Sequence, residues 1–249
     1  MIHSVLLIGQ SNMAGRGFVE EAVPVDSSHI KILRNGRWQK MFHPVNPDRR
    51  TSGVNLAESF AERYAMEHGV DVGLIPCADG GTRIAQWAPG SLLFDNAVYQ
   101  ARLAMRTSNI VAILWHQGES DCREDRYLTY GSSLSVMLTA LRKELGLEDV
   151  PVILGGLGAY LNDYAPGGHL QWPQINRELE TVAAREPLCG FVSAQGLTPN
   201  PDNLHFSAKS LHEFGLRYYA EFKKLEDPNK VFLEKPHPDD ALRTELDSL

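Results

Sequence analysis

The feature that most constrains this chain is a recurrence of short, nearly uninterrupted apolar runs separated by longer amphipathic segments. Such runs occupy residues 3–8, 70–75, 110–115, 150–154 and 189–193. Runs of this length, rich in Val, Ile and Leu, are what a strand buried on both faces requires. Between them, residues 56–68 place Leu56, Phe60, Tyr64 and Ala65 on one helical face, and residues 92–106, 127–145, 174–185 and 208–225 repeat that pattern. Alternation of buried strand and helix predicts an α/β fold, a three-layer α/β/α sandwich of flavodoxin-like type around a central parallel sheet of about five strands. One stretch breaks the rhythm. Residues 30–39 hold Asn35-Gly36 between two short strand patterns, the signal of a tight hairpin, read here as an insertion near the sheet edge.

No internal repeat, low-complexity tract or linker interrupts residues 1–225, which read as one domain. Residues 226–249 carry Pro228, Pro236 and Pro238 and an acidic end, and are expected to form a tail or packing arm without chemistry. The 43% hydrophobic and 22% charged residues fit a globular chain and exclude a disordered one. A net charge of −7 leaves no cationic surplus for a phosphate backbone, so nucleic acid is not an expected partner. No run approaches the ~18 apolar residues of a membrane span, and no signal peptide is read at the start. Cys77, Cys122 and Cys189 are odd in number and far apart. They suggest neither disulfides nor a metal cluster, so the expectation is a cytoplasmic chain without metal or organic cofactor. Homo-oligomerisation is left open.

In doubly wound sheets ligands bind beyond the carboxyl ends of the strands. The residues that follow the apolar runs are therefore the informative ones. They are Gly9-Gln10-Ser11-Asn12-Met13, then Gly80-Gly81-Thr82-Arg83, then His116-Gln117-Gly118-Glu119-Ser120-Asp121, and finally Asp202-Asn203-Leu204-His205 before the last helix. A serine at a strand-to-helix turn is exposed at the rim and can act as a nucleophile, although a plain helix cap is a common role for serine. Asp202-x-x-His205 can set a carboxylate against one imidazole nitrogen and leave the other to serve as a general base. Taken alone, His205 reads equally well as a loop-bonded histidine. Gly80, Gly81 and Gln117 offer uncharged donors for an oxyanion; singly, they read as a turn and a loop residue.

These blocks, in this order, resemble the SGNH hydrolase superfamily. Within it they are most similar to the branch of sialate O-acetylesterase-like proteins and the acetylxylan esterases of carbohydrate esterase family six. The resemblance spans residues 5 to about 210 and rests on the pairing of Gln-Ser-Asn-Met with Gln-Gly-Glu-Ser-Asp. It implies a serine esterase that removes O-acetyl groups from a carbohydrate, with Ser11 as nucleophile, His205 as base and Asp202 as its orienting acid. It also implies an oxyanion hole made of the Ser11 amide, an amide of Gly80 or Gly81, and the Gln117 side chain.

Gln10, Asn12, Glu119 and Asp121 are expected to support the site. Arg83 departs from the small polar residue expected after Gly-Gly-Thr, and either meets an acidic sugar or pairs with a loop carboxylate. Trp87 is expected to stack on a sugar or to pack in the core. Trp115 and His116 read as packing and loop anchoring, and no histidine motif recruits Cys122. Two other functions remain open on the sequence: a lipase- or thioesterase-like acyl hydrolase using the same three residues, and a non-catalytic carbohydrate-binding module.

Overall fold

The computed structural model describes residues 1–164 and 169–235. In chain order the elements are β1 (Ile2–Gly9), α1 (Ser11–Ala14), β2 (Ile30–Arg34), β3 (Arg37–Lys40), α2 (Ala57–His68), β4 (Asp71–Pro76), α3 (Leu92–Met105), β5 (Asn109–His116), α4 (Tyr127–Leu145), β6 (Val152–Gly155), α5 (Trp172–Arg185), β7 (Cys189–Val192) and α6 (Ala208–Leu225). Each of the five apolar runs forms a strand and each amphipathic segment a helix. The strands are paired in the order β3-β2-β4-β1-β5-β6-β7, all parallel except β2 with β3.

The sheet therefore has seven strands rather than about five. The difference lies in the hairpin, which adds to the main sheet: β2 pairs in parallel with β4, and β3 forms the antiparallel edge. Asn35 and Gly36 both adopt positive φ, 50° and 75°, as a two-residue turn of this hand requires.

β1 is buried along its whole length. Because successive side chains point to opposite faces, Leu6 and Ile8 join the core beneath α3, α4 and α5, while Val5 and Leu7 join the core beneath α2 and α6. A strand sandwiched in this way cannot alternate apolar with polar residues, which is why the run is continuous. The direction of strand order reverses beside β1, between it and β5. Side chains following these two strands consequently face a common crevice.

At the opposite edge of the sheet, residues 226–235 form an extended arm. The Phe232 ring packs 4.5 Å from that of His3, Asn109 Nδ2 donates to Leu233 O (3.0 Å), and Lys235 Nζ donates to Met105 O (2.8 Å). Residues 236–249 lie outside the described residues. Among the described residues no helix is long and apolar enough to cross a membrane.

Candidate active site

Gly9 ends β1 with φ at +134°, and a Cβ there would lie 2.1 Å from His116 O. Only glycine lets β1 and β5 run this close at the rim. The Gln10 amide then donates to His116 O (2.9 Å), and the chain turns at once into α1, whose first residue is Ser11. An amide at the first position of a helix has no partner within that helix.

Ser11 Oγ lies 3.0 Å from His205 Nε2, and His205 Nδ1 donates to Asp202 Oδ2 at 2.6 Å. The other carboxylate oxygen of Asp202 accepts the backbone amides of Leu204 (2.9 Å) and His205 (3.0 Å). Asn203 closes this turn in the left-handed region, φ 53°. Partial burial pushes the Asp202 carboxyl up, but the two amides and the imidazole outweigh it and hold the group below the usual carboxylate range. Residues separated by 194 positions thus meet in one hydrogen-bonded line.

Asn12 stitches this line together. Its Oδ1 accepts the Phe206 amide (3.0 Å), while its Nδ2 donates to Leu204 O (3.2 Å) and Glu119 Oε1 (2.5 Å). Glu119 also lies 3.3 Å from His116 Nε2. Full burial pushes the Glu119 carboxyl up, yet the His116 imidazole and the Asn12 amide together keep it below its ordinary range. The nucleophile turn, the base loop and the segment after β5 are therefore one bonded unit.

The supporting residues fall into place around it. Gln10 Oε1 accepts from Gln117 Nε2 (3.2 Å) and from the Ser120 amide (3.3 Å). Asp121 Oδ2 accepts from Gln117 Nε2 (2.6 Å) and the Ile84 amide (2.9 Å); burial nevertheless leaves its carboxyl above the usual range.

One expectation is corrected, at Gln117, and the alternatives carried at Trp87 and Arg83 are narrowed. Gln117 is fully buried, and its Nε2, with two hydrogens, faces three acceptors: Gln10 Oε1, Thr82 O (2.9 Å) and Asp121 Oδ2. Its carboxamide clasps the three rim loops and has no donor left for an oxyanion. Trp87 is only 1% exposed, packs edge-on against Trp115 at 5.5 Å and donates to Thr82 Oγ1 (3.2 Å). It supports the turn from the core and has no open face for a sugar. Arg83 is exposed and is not among the residues that line the pocket.

The two glycines also differ. The Gly80 amide donates to Asp48 Oδ2 (2.8 Å), whereas the Gly81 amide has no partner among the described residues.

The pocket at this rim has a volume of about 360 Å³ and contains Ser11, His205, Gln10, Gly80, Gly81 and Glu119 in its lining. Arg16, Arg49, Thr51, Ser120, Tyr164, His169 and Leu204 complete it, and sequence reasoning named none of these as site residues. Arg16 sits between glycines in Gly15-Arg16-Gly17, two residues past the nucleophile helix, the one signal that could have drawn attention to it.

The structure thus brings a serine, an imidazole and a carboxylate together at the carboxyl edge of a mostly parallel sheet. The family profile described as carbohydrate esterase, sialic acid-specific acetylesterase, matches residues 2–224. The probable carbohydrate esterase At4g34215 of Arabidopsis thaliana is 29% identical over 238 residues, 85% of this chain and 86% of that protein. Its crystal structure aligns over 90% of this chain and 98% of its own at 26% identity, with a TM-score of 0.78. NanS (17% identity, TM-score 0.68, 90% and 97% of the two chains) shares the fold. So does XAC1771, a carbohydrate acetylesterase from Xanthomonas citri (15%, TM-score 0.64, 90% and 56%). The chain belongs to the sialic acid-specific acetylesterase family of carbohydrate esterases and is a carboxylic ester hydrolase.

Proposed function

We propose that the chain is a serine esterase that removes O-acetyl groups from a carbohydrate through an acetyl-enzyme. The observation that carries this reading is the unbroken line from Ser11 Oγ through His205 to Asp202, at 3.0 and 2.6 Å. His205 Nε2 takes the hydroxyl proton as Ser11 Oγ attacks the ester carbonyl, and Asp202 steadies the imidazolium that forms. The tetrahedral oxyanion would take the amides of Ser11 and Gly81, which have no partner among the described residues. As the C–O bond breaks, His205 returns the proton to the departing sugar oxygen. His205 then deprotonates a water that attacks the acetyl-serine, releasing acetate and restoring the Ser11 hydroxyl.

The pocket rim carries polar groups, among them the Thr51 and Ser120 hydroxyls and the Arg49 guanidinium, that suit the hydroxyls of a sugar. Acetylated xylan and O-acetylated sialic acid are the two candidate substrates.

The purified protein is expected to hydrolyse p-nitrophenyl acetate, with butyryl and longer esters progressively slower. Ser11→Ala should remove nearly all of the activity. Equal rates for the parent and this variant would overturn the serine mechanism. A panel of acetylated xylo-oligosaccharides and O-acetylated sialic acid, assayed for released acetate, distinguishes the substrates.

A further inference from the structure

The turn after β4 has few bonds of its own, and side chains from residues 46–49 hold it. Asn46 exchanges a pair of hydrogen bonds with the backbone of Ala78, both 3.0 Å. Asp48 Oδ2 accepts the Gly80 amide (2.8 Å), and Arg49 Nη2 donates to Gly80 O (3.0 Å). Both polar backbone groups of Gly80 are thereby fixed. Beneath, Arg16 grips Asp48 with two parallel bonds, Nη1 to Oδ1 at 2.9 Å and Nη2 to Oδ2 at 2.7 Å, in a pair whose side chains are each 5% exposed. Ser52 Oγ donates to Asp48 Oδ1 as well (2.8 Å).

These groups converge at Gly80. A Cβ there would lie 2.6 Å from Arg16 Nη2, 2.9 Å from Asp48 Oδ2 and 3.4 Å from Ser11 Cβ. A buried carboxylate thus stands directly behind the glycine turn, close to where negative charge develops on the carbonyl oxygen. An unbalanced anion in that position would oppose the reaction, while a paired one does not.

We propose that Asp48 is a positioning residue that sets the glycine turn against Ser11, and that Arg16 is the counter-charge allowing a carboxylate to do so beside a developing oxyanion. The inference rests on the serine-esterase reading. It extends that reading to two residues that make no hydrogen bond to Ser11, Asp202 or His205.

The test compares kcat and KM on p-nitrophenyl acetate for the full chain and four variants, with melting temperatures recorded for each. Asp48→Ala removes the acceptor of the Gly80 amide, and kcat should fall about 10²-fold with KM changed less than threefold, the scale of a lost oxyanion donor. Asp48→Asn keeps an uncharged acceptor and should recover most of that loss. Arg16→Gln leaves the carboxylate unbalanced and should again cost about 10² in kcat. In Arg16→Gln/Asp48→Asn the charge is gone, and kcat should rise at least tenfold above Arg16→Gln. If Asp48→Ala does not fold, the last three variants carry the test alone.

A double variant as slow as Arg16→Gln, or an Arg16→Gln whose kcat stays within threefold of the parent, overturns the inference. So do variants that lose only melting temperature. A parent inactive on the ester overturns the serine-esterase reading and this inference together. A Ser11-dependent parent with indifferent variants overturns the inference alone.

Discussion

The two sides of the pocket are held by opposite means. On one side, the serine turn and the histidine loop are joined by neutral side chains: Asn12, the residue next to the nucleophile, bonds Phe206, Leu204 and Glu119, and Asn200 Nδ2 donates to Arg16 O. On the other, the glycine turn is held by Asn46, Asp48 and Arg49 from a distant segment with no strand or helix, backed by a buried ion pair. Where two reacting side chains must keep a 3.0 Å separation, the chain couples them through the shortest connection available. Where only a backbone must be aimed, it uses charges, and then has to balance them in place.

The largest effect should come from the reacting side itself. Asp202→Asn preserves size but weakens the group that fixes the His205 tautomer, and kcat on an acetyl ester should fall about 10³-fold. A loss below tenfold would mean that the backbone alone holds His205. Next is Asn12→Ala, which leaves the Phe206 amide and the Glu119 carboxylate short of a partner. It should lower stability by about 2–3 kcal/mol and kcat by about 10², read from denaturant unfolding and steady-state kinetics.

Asn46→Ala probes the opposite side. It strips two bonds from the Ala78 backbone but leaves Asp48 and Arg49 in place, so stability should fall by about 1–2 kcal/mol, with kcat changed only a few-fold. A kcat loss matching that of Asn12→Ala would erase the asymmetry between the two sides.

The smallest effect lies at the far edge of the sheet. Burial, with His68 and the amino terminus, lowers the His3 pKa to about 4. The unfolded chain takes up a proton near pH 6.5 and the folded one only near 4, so stability present above 6.5 is lost as pH falls across that interval. His3→Gln should flatten that part of the stability profile by about 1–2 kcal/mol and leave kcat at neutral pH unchanged.

The contrast between the two sides also marks what the sequence could disclose. Ser11, Asp202 and His205 are legible because each reacting group sits in a short local pattern after a buried run, and strand topology then brings the patterns to one edge. Gln117 misled because its position in the block after β5 says nothing about which atoms its carboxamide meets; the structure gives those hydrogens to Thr82, Asp121 and Gln10. Trp87 carried two readings, and only its burial against Trp115 separates them. The hairpin was legible from Asn35-Gly36, but its docking onto β4 was not, since a two-residue turn fixes local register and not the neighbour of the next strand. Gly80 was legible as a rim glycine, but its bond to Asp48 was beyond reach, because nothing local links an aspartate in an irregular segment to a glycine amide 32 residues later.

The most direct measurement is covalent labelling by a serine-directed fluorophosphonate, followed by peptide mass analysis. A single adduct on the peptide containing Ser11 is expected, absent in Ser11→Ala and formed at least a hundredfold more slowly in His205→Ala, as expected when a base activates the hydroxyl. An adduct elsewhere, or labelling of His205→Ala at the parent rate, would contradict a serine activated by that imidazole.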